Sequence, residues 1–351
     1  MAFIDLASVH SKMRKLRTKG EIDPVYFSFE TWNDFNNGKW LMGSRKCTLL
    51  IGGEPNHGKS QVANEMVMQL IEKHHFKVAL FTTESGDVEK VFTQFCGMYQ
   101  GKPYTKVRPD GKPNKYAMTD EEVAEAEDFI LRHLYIFKQD RKDTSYQKLD
   151  NIYKELAMAE ANYGIKFDSL VIDPIYDIDD FEPKASEVLR VLNRINLEAE
   201  ENNRFDIIVN HVAETAKVTT KSGKRIKLTA LADEFYGGKN NNRKAMLQIL
   251  VHRPEPNENP EGDEEYVAEN QTNIHILKIK PEGVAKWGIY SIYYDWRSRR
   301  YYEMFDDKVQ FAQCTKFKDR RPNQEFKIEE FRTTPSEAFN TINYETDEMP
   351  F

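Results

Sequence analysis

Residues 47–73 read CTLLIGGEPNHGKSQVANEMVMQLIEK, and the fold turns on how they are read. Cys47 to Gly52 is a short apolar run bounded by glycine and proline, the pattern of a strand buried on both faces. Gln61 to Lys73 carries apolar residues at Val62, Met66, Met68, Leu70 and Ile71, which predicts a helix. Between them, Gly53-Glu54-Pro55-Asn56-His57-Gly58-Lys59-Ser60 fits G-x-x-x-x-G-K-[ST]. A strand, a glycine-rich turn and a helix N-terminus in that order make a phosphate cradle. The glycines let backbone N–H groups close around the anion, and the helix adds its positive end. Lys59 is placed to reach the β- and γ-phosphates and Ser60 to ligate Mg²⁺. The nucleotide-binding stretch is taken to run from Gly53 to Gln61, with ATP and Mg²⁺ as the expected ligands.

Outward from this loop, further strands are predicted at Val78 to Thr82, Leu134 to Phe137, Ser169 to Asp173 and Asp206 to Asn210. Later candidates are Ala245 to His252, Asn273 to Ile279 and Ile289 to Tyr294. Helical patterns open at Thr119, with Glu122 three residues on, and at Thr144, with Gln147 three on, both fitting capping boxes. Ala185 to Asn202 sets Val188, Leu189, Leu192 and Ile195 on one helix face. Strands alternating with helices predict an α/β fold, a mainly parallel sheet flanked by helices, its last three strands forming an antiparallel edge. Gly101 to Lys115, rich in Gly, Pro and Lys, is a surface loop.

The ends of the chain read differently. Ile4, Leu6, Val9, Met13 and Leu16 form an amphipathic stretch, either packed on its own domain or docked as an arm on a neighbouring subunit. The expected organisation is an arm over 1–26, a nucleotide-binding domain over 27–312 and a flexible polar tail over 313–351.

The chain has 351 residues, 40% hydrophobic and 30% charged, the balance of a soluble globular protein. No apolar run approaches the roughly 20 residues of a membrane span. Lys12, Arg14 and Lys15 occupy the place of a signal peptide's apolar stretch. Three separated cysteines, Cys47, Cys96 and Cys314, fit neither a disulfide framework nor a zinc ribbon. These features predict a cytoplasmic protein without a membrane partner. The net charge of −7 excludes a protein that coats nucleic acid by bulk charge, so any such contact is confined to a local basic patch.

Three polar residues end apolar strands. Asp173 closes the run SLVID, where an acid can organise the metal and its waters; an Asp capping the turn before Pro174 fits the same spacing. Glu84 follows the second strand, where a carboxylate can orient the attacking water. His211 follows DIIVN, able to hydrogen-bond a γ-phosphate or to serve as a satisfied core histidine. Asp177, Asp179 and Asp180 read as a solvated loop.

Taken together, these residues resemble the RecA-like ATPase domain of hexameric replicative helicases of the DnaB and RepA types. The resemblance spans about Phe27 to Tyr302 and rests on GGEPNHGKS (52–60), TTES (82–85), SLVIDP (169–174), DIIVNHVAETAK (206–217), LTALADEFYGGKNNNRKAMLQILVHRP (228–254) and ILKIKPEGVAKWG (276–288). It implies a RecA-like P-loop core, Glu84 as the catalytic carboxylate, His211 as the sensor and a basic finger acting on the next subunit's nucleotide. DnaB-type proteins usually carry Gln at the sensor position and RepA-type relatives His. The family's Lys-x-Arg finger reads Lys278-Ile279-Lys280 here. Lys cannot give Arg's bidentate fork, and the finger is Lys280, Lys278 or Arg253. The resemblance does not extend to the family's amino-terminal domain, which is expected to be missing here.

Between Ala213 and Lys227, Lys217, Lys221, Lys224, Arg225 and Lys227 face one acid, Glu214. This segment is read as a phosphate-binding loop for single-stranded DNA, against the alternative of a solvated charged hairpin. Lys239, Arg243 and Lys244 make a second basic cluster. No aromatic stacking platform is evident, so recognition is expected to follow the backbone. The terminal Glu345-Thr346-Asp347-Glu348-Met349-Pro350-Phe351 resembles the acidic tips of single-strand-binding proteins, and a polymerase, primase or loader is the expected partner. The leading expectation is a phage- or plasmid-type helicase, assembling as a homo-oligomer, a hexamer by resemblance, with ATP cleaved at subunit interfaces. Its rivals are a RecA-like recombinase that forms filaments on DNA and a non-motor module switched by nucleotide.

Overall fold

A computed structural model describes residues 6–20, 24–34, 43–83, 87–108, 110–137, 148–178, 184–212, 217–219, 225–227, 230–231, 233–254, 268–280, 287–305 and 308–320. Helix α1 (Leu6–Lys19), strand β1 (Pro24–Val25), helix α2 (Glu30–Asp34) and strand β2 (Gly43–Ser44) precede the decisive strand β3 (Cys47–Gly52). All six residues of β3 are buried, as its unbroken apolar run requires. There follow α3 (Lys59–His74), β4 (Val78–Thr82), α4 (Val88–Gln100), α5 (Asp120–His133), β5 (Leu134–Phe137), α6 (Leu149–Tyr163), β6 (Ser169–Asp173), α7 (Ala185–Glu201) and β7 (Phe205–Val209). The capping box at Thr119 and Glu122 starts α5 as expected; the one at Thr144 and Gln147 lies outside the described residues.

The rest of the chain adds β8 (Lys217–Thr219), β9 (Arg225–Lys227), α8 (Lys239–Lys244) and five further strands. These are β10 (Leu247–His252), β11 (Gln271–Lys278), β12 (Ile289–Asp295), β13 (Arg300–Phe305) and β14 (Lys308–Phe311). One ten-stranded sheet runs in the order β14-β13-β12-β11-β10-β3-β7-β6-β4-β5. From β5 to β10 neighbours are parallel; from β10 outward they are antiparallel. Thus β10 is the seam strand, parallel to β3 on one side and antiparallel to β11 on the other. The antiparallel wing includes β13 and β14, which apolar patterning does not announce.

Alternation along the central strands sorts two cores. Leu49, Ile51, Val171, Ile207 and Ile249 face α3, α4 and α5, meeting Val62, Met66, Phe95 and Ile130. Leu50, Ile172, Ile208 and Leu250 face α6 and α7, meeting Ile152, Leu156, Val188 and Ile195. Covered on both faces, the sheet leaves its strand ends as the place where a ligand can reach the backbone. Among the described residues no helix is long and apolar enough to cross a membrane.

The wing is tied to the core by buried charge. The guanidinium of Arg300 in β13 makes paired hydrogen bonds to Glu65 (2.6 and 2.9 Å) and Glu72 (3.1 and 3.0 Å) of α3. It also donates to the Met98 carbonyl of α4. Glu303, also in β13, accepts from the backbone N–H groups of Glu30 and Thr31 at the start of α2, where free helical donors need an acceptor. Residues beyond β14 still pack: Thr315 is buried, and Phe317 stands edge-on to Phe311 at 5.0 Å.

Candidate nucleotide site

The loop Gly53–Ser60 leaves β3 between its two parallel neighbours, and both hold it. The Val212 N–H, just past β7, donates to the Gly53 carbonyl at 3.2 Å. On the other side the Arg253 N–H, just past β10, donates to His57 Nδ1 at 3.3 Å. The turn needs glycine for specific reasons. A Cβ on Gly53 would sit 2.5 Å from the Val251 carbonyl oxygen, and one on Gly52 would enter the Phe235 ring at 2.1 Å. Gly58, which caps the N-terminus of α3, has φ +86, and Asn56 has φ +64; both are left-handed conformations.

Lys59 opens α3 and is buried, its Nζ donating to the Glu54 carbonyl oxygen at 2.9 Å. The same oxygen accepts from the His57 N–H at 3.3 Å. Glu54 is buried as well, with a carboxylate oxygen 3.8 Å from His57 Nε2. Ser60 and Gln61 lie in the first turn of α3, where helical N–H groups have no intrahelical acceptor. A helix N-terminus, backbone too crowded for side chains and a buried ammonium form a donor set that fits a polyphosphate.

Two strands away, Asp173 ends β6 and is buried, opposite Thr82 of β4. Its carbonyl accepts from the Thr83 N–H at 3.3 Å, and Thr83 donates its hydroxyl to Asp177. This ties the ends of β4 and β6 together and gives Asp177 a structural partner. Glu84, Asp179 and Asp180 lie outside the described residues. His211 follows β7, half-buried, its ring edge-on to Tyr176 at 4.4 Å. Its carbonyl accepts from the Tyr236 N–H. Ser60 and Asp173 are the residues that fit a Mg²⁺ ion, a hydroxyl and a buried carboxylate being hard oxygen donors.

The three candidate finger residues differ in surroundings. Arg253 lies against its own chain's loop, with Nη2 3.2 Å from where a Gly58 Cβ would be and the Tyr301 hydroxyl at the same distance. Lys278 donates its ammonium to the Asn242 carbonyl of α8, and burial, then the nearby Lys280, lowers its pKa. Lys280 is exposed just past β11.

The basic segment is a two-stranded antiparallel ribbon that pairs Lys217 with Lys227, Val218 with Ile226 and Thr219 with Arg225. Lys221 and Lys224 lie outside the described residues, as does the acidic tail tip. Behind the loop sits a histidine row that sequence reading passed over. His57 and His252 rings are 5.1 Å apart, and His252 and His275 5.8 Å. Burial, then His252, lowers the His275 pKa to about 4. Periodicity hints at this row, since His252 and His275 replace apolar residues in adjacent strands.

A glycine-rich loop between a central parallel strand and its helix, with an acid at the end of a nearby strand, defines a P-loop NTPase core of RecA-like form. Among solved structures the chain is similar to one described as an ATPase domain, with a TM-score of 0.63 and 15% identity. That match covers 87% of this chain and 100% of the other. It is also similar to a DnaB-like replicative helicase described with its interactions with primase, with a TM-score of 0.60 and 14% identity. Here the coverage is 86% of this chain and 67% of the other. The fold is that of the ATPase domain of DnaB-type helicases. No family model matches the chain, and no curated protein matches its sequence.

Proposed function

We propose that the protein is an ATP-hydrolysing helicase that translocates on single-stranded DNA as a ring of its own copies. The observation that carries this reading is the loop at 53–60, held from both sides at the end of the central strand, on a scaffold similar to DnaB-type ATPase domains. In this reading Lys59 swings from the Glu54 carbonyl to the β- and γ-phosphates. Ser60 and Asp173 would hold Mg²⁺, whose charge offsets that of the phosphates. Glu84 orients water, and a cation from the adjacent copy completes the site. Of the three finger residues, exposed Lys280 is best placed to serve a neighbour, because Lys278 and Arg253 have contacts within their own chain. His211, beside the phosphate loop and shortly before the basic ribbon, would relay loss of the γ-phosphate to DNA. The composition of the segment supports that role: Lys217, Lys221, Lys224, Arg225 and Lys227 gather five cations in eleven residues, the charge a polyanion takes. A primase partner follows by analogy with the DnaB-like neighbour.

ATP turnover, measured with and without oligothymidylate, tests the chemistry. Wild type is expected to turn over faster with DNA, and Glu84→Gln to bind ATP but lose that turnover. Undiminished hydrolysis by Glu84→Gln removes the residue from its role.

A further inference from the structure

A cavity of about 260 Å³ lies where the loop after α4 meets the β12–β13 turn and the segment beyond β14. None of its walls belongs to the nucleotide loop, to β6 or to the basic ribbon. Four cationic side chains line it: Lys102, Lys115, Arg297 and Arg320. Lys102 is paired with Glu122 at 2.6 Å, and Arg320 stands 3.8 Å from Asp295. Among the described residues no carboxylate lies within ion-pair distance of the Lys115 or Arg297 side chain, so no described carboxylate balances either charge. Both are held by one ring: the Arg297 guanidinium lies 3.8 Å and the Lys115 ammonium 4.9 Å from the centre of Tyr116. Both cations also lower the pKa of the Tyr116 hydroxyl, Lys115 foremost, and the donors that a guanidinium has to spare match a phosphate. Among the described residues the buried Nε and Nη2 atoms of Arg320 have no hydrogen-bond acceptor. Trp296, in the same turn as Arg297, is 59% exposed, and Tyr116 is 40% exposed.

We propose that this cavity is a second nucleic-acid contact, gripping phosphate groups of a single strand apart from the ribbon at 217–227. The inference rests on the motor reading for its choice of polyanion. Cations beside exposed aromatic rings are what single-stranded nucleic acid takes, and such a site is indifferent to base identity. An acidic peptide could use the charges but leaves the exposed rings without a role.

The test is equilibrium binding of fluorescein-labelled oligothymidylate by anisotropy across a salt series, without nucleotide. Wild type is compared with a Lys115→Ala/Arg297→Ala variant whose thermal midpoint and DNA-free ATP turnover match wild type. Losing two phosphate contacts is expected to flatten the slope of log K against log salt by about 1.4, at about 0.7 per phosphate. Affinity at low salt should fall about tenfold. If the variant loses its fold, Lys115→Gln/Arg297→Gln replaces it, and iododeoxyuridine crosslinking to the Tyr116 or Trp296 peptide in wild type is expected. An unchanged slope in a folded variant, or crosslinks elsewhere only, overturns this proposal and leaves the motor reading intact. So does an unchanged slope with lost binding of an acidic peptide. No DNA binding by wild type overturns both.

Discussion

At Gly53 the room left for a side chain is less than one methyl group, and the obstacle is backbone. A Cβ there meets the Val251 carbonyl oxygen at 2.5 Å, which cannot move without shifting β10 against β3. Gly53→Ala is therefore expected to cost about 1–3 kcal/mol of stability, as other overpacked sites do. It should also weaken binding of a fluorescent ATP analogue by at least tenfold; wild-type binding would contradict the geometry. Lys59→Ala removes the ammonium's bond to the Glu54 carbonyl but leaves that oxygen the His57 N–H, and is expected to hold its thermal midpoint within a few degrees while losing turnover. This part of the site was legible because phosphate chemistry demands these residue types in an unbroken run. Arg253, His252 and Tyr301 were not legible as neighbours of the loop. Their contacts cross nearly two hundred residues or more, and no local spacing encodes them.

At the scale of elements, β13 shows why charge can hide a strand. RYYEMF carries Arg300 and Glu303 where an edge strand would show solvated residues, yet both are buried and paired across the fold. One guanidinium can balance only one of the two carboxylates that flank it. Burial, opposed by Arg300, pushes the Glu72 carboxyl up from 4.5 to about 7. The folded protein then holds this proton at pH values where the unfolded chain has lost it. The contribution of Glu72 to stability is full below about pH 4.5, declines as pH rises towards 7 and levels off above that. The total is on the order of 3 kcal/mol at most. Thermal midpoints of wild type and Glu72→Gln should thus be similar at pH 5, with the variant gaining by several degrees at pH 8. A variant that loses ground as pH rises would show that Glu72 is needed as an anion. The strands β3 and β4 bury no charged side chain that needs such a partner, and their apolar runs were readable for that reason.

Across the whole molecule, the parallel half of the sheet presents the loop, Asp173 and His211 along one edge, while the antiparallel wing carries Lys280 just past β11. In the motor account a ring brings the lysine of one copy to the nucleotide of the next. Imaging with ATP and DNA is expected to give closed rings, and extended helical filaments would favour the recombinase instead. Lys280→Ala should bind ATP as wild type does but lose most turnover, and mixing it with Lys59→Ala should restore part of it, since each variant keeps the half-site the other lacks. Strand displacement on a forked duplex with single-stranded tails tests the central claim most directly. The account predicts ATP-dependent release of one strand by wild type and none by Lys59→Ala; release that proceeds equally with that variant, or fails in wild type while ATP is consumed, would contradict it.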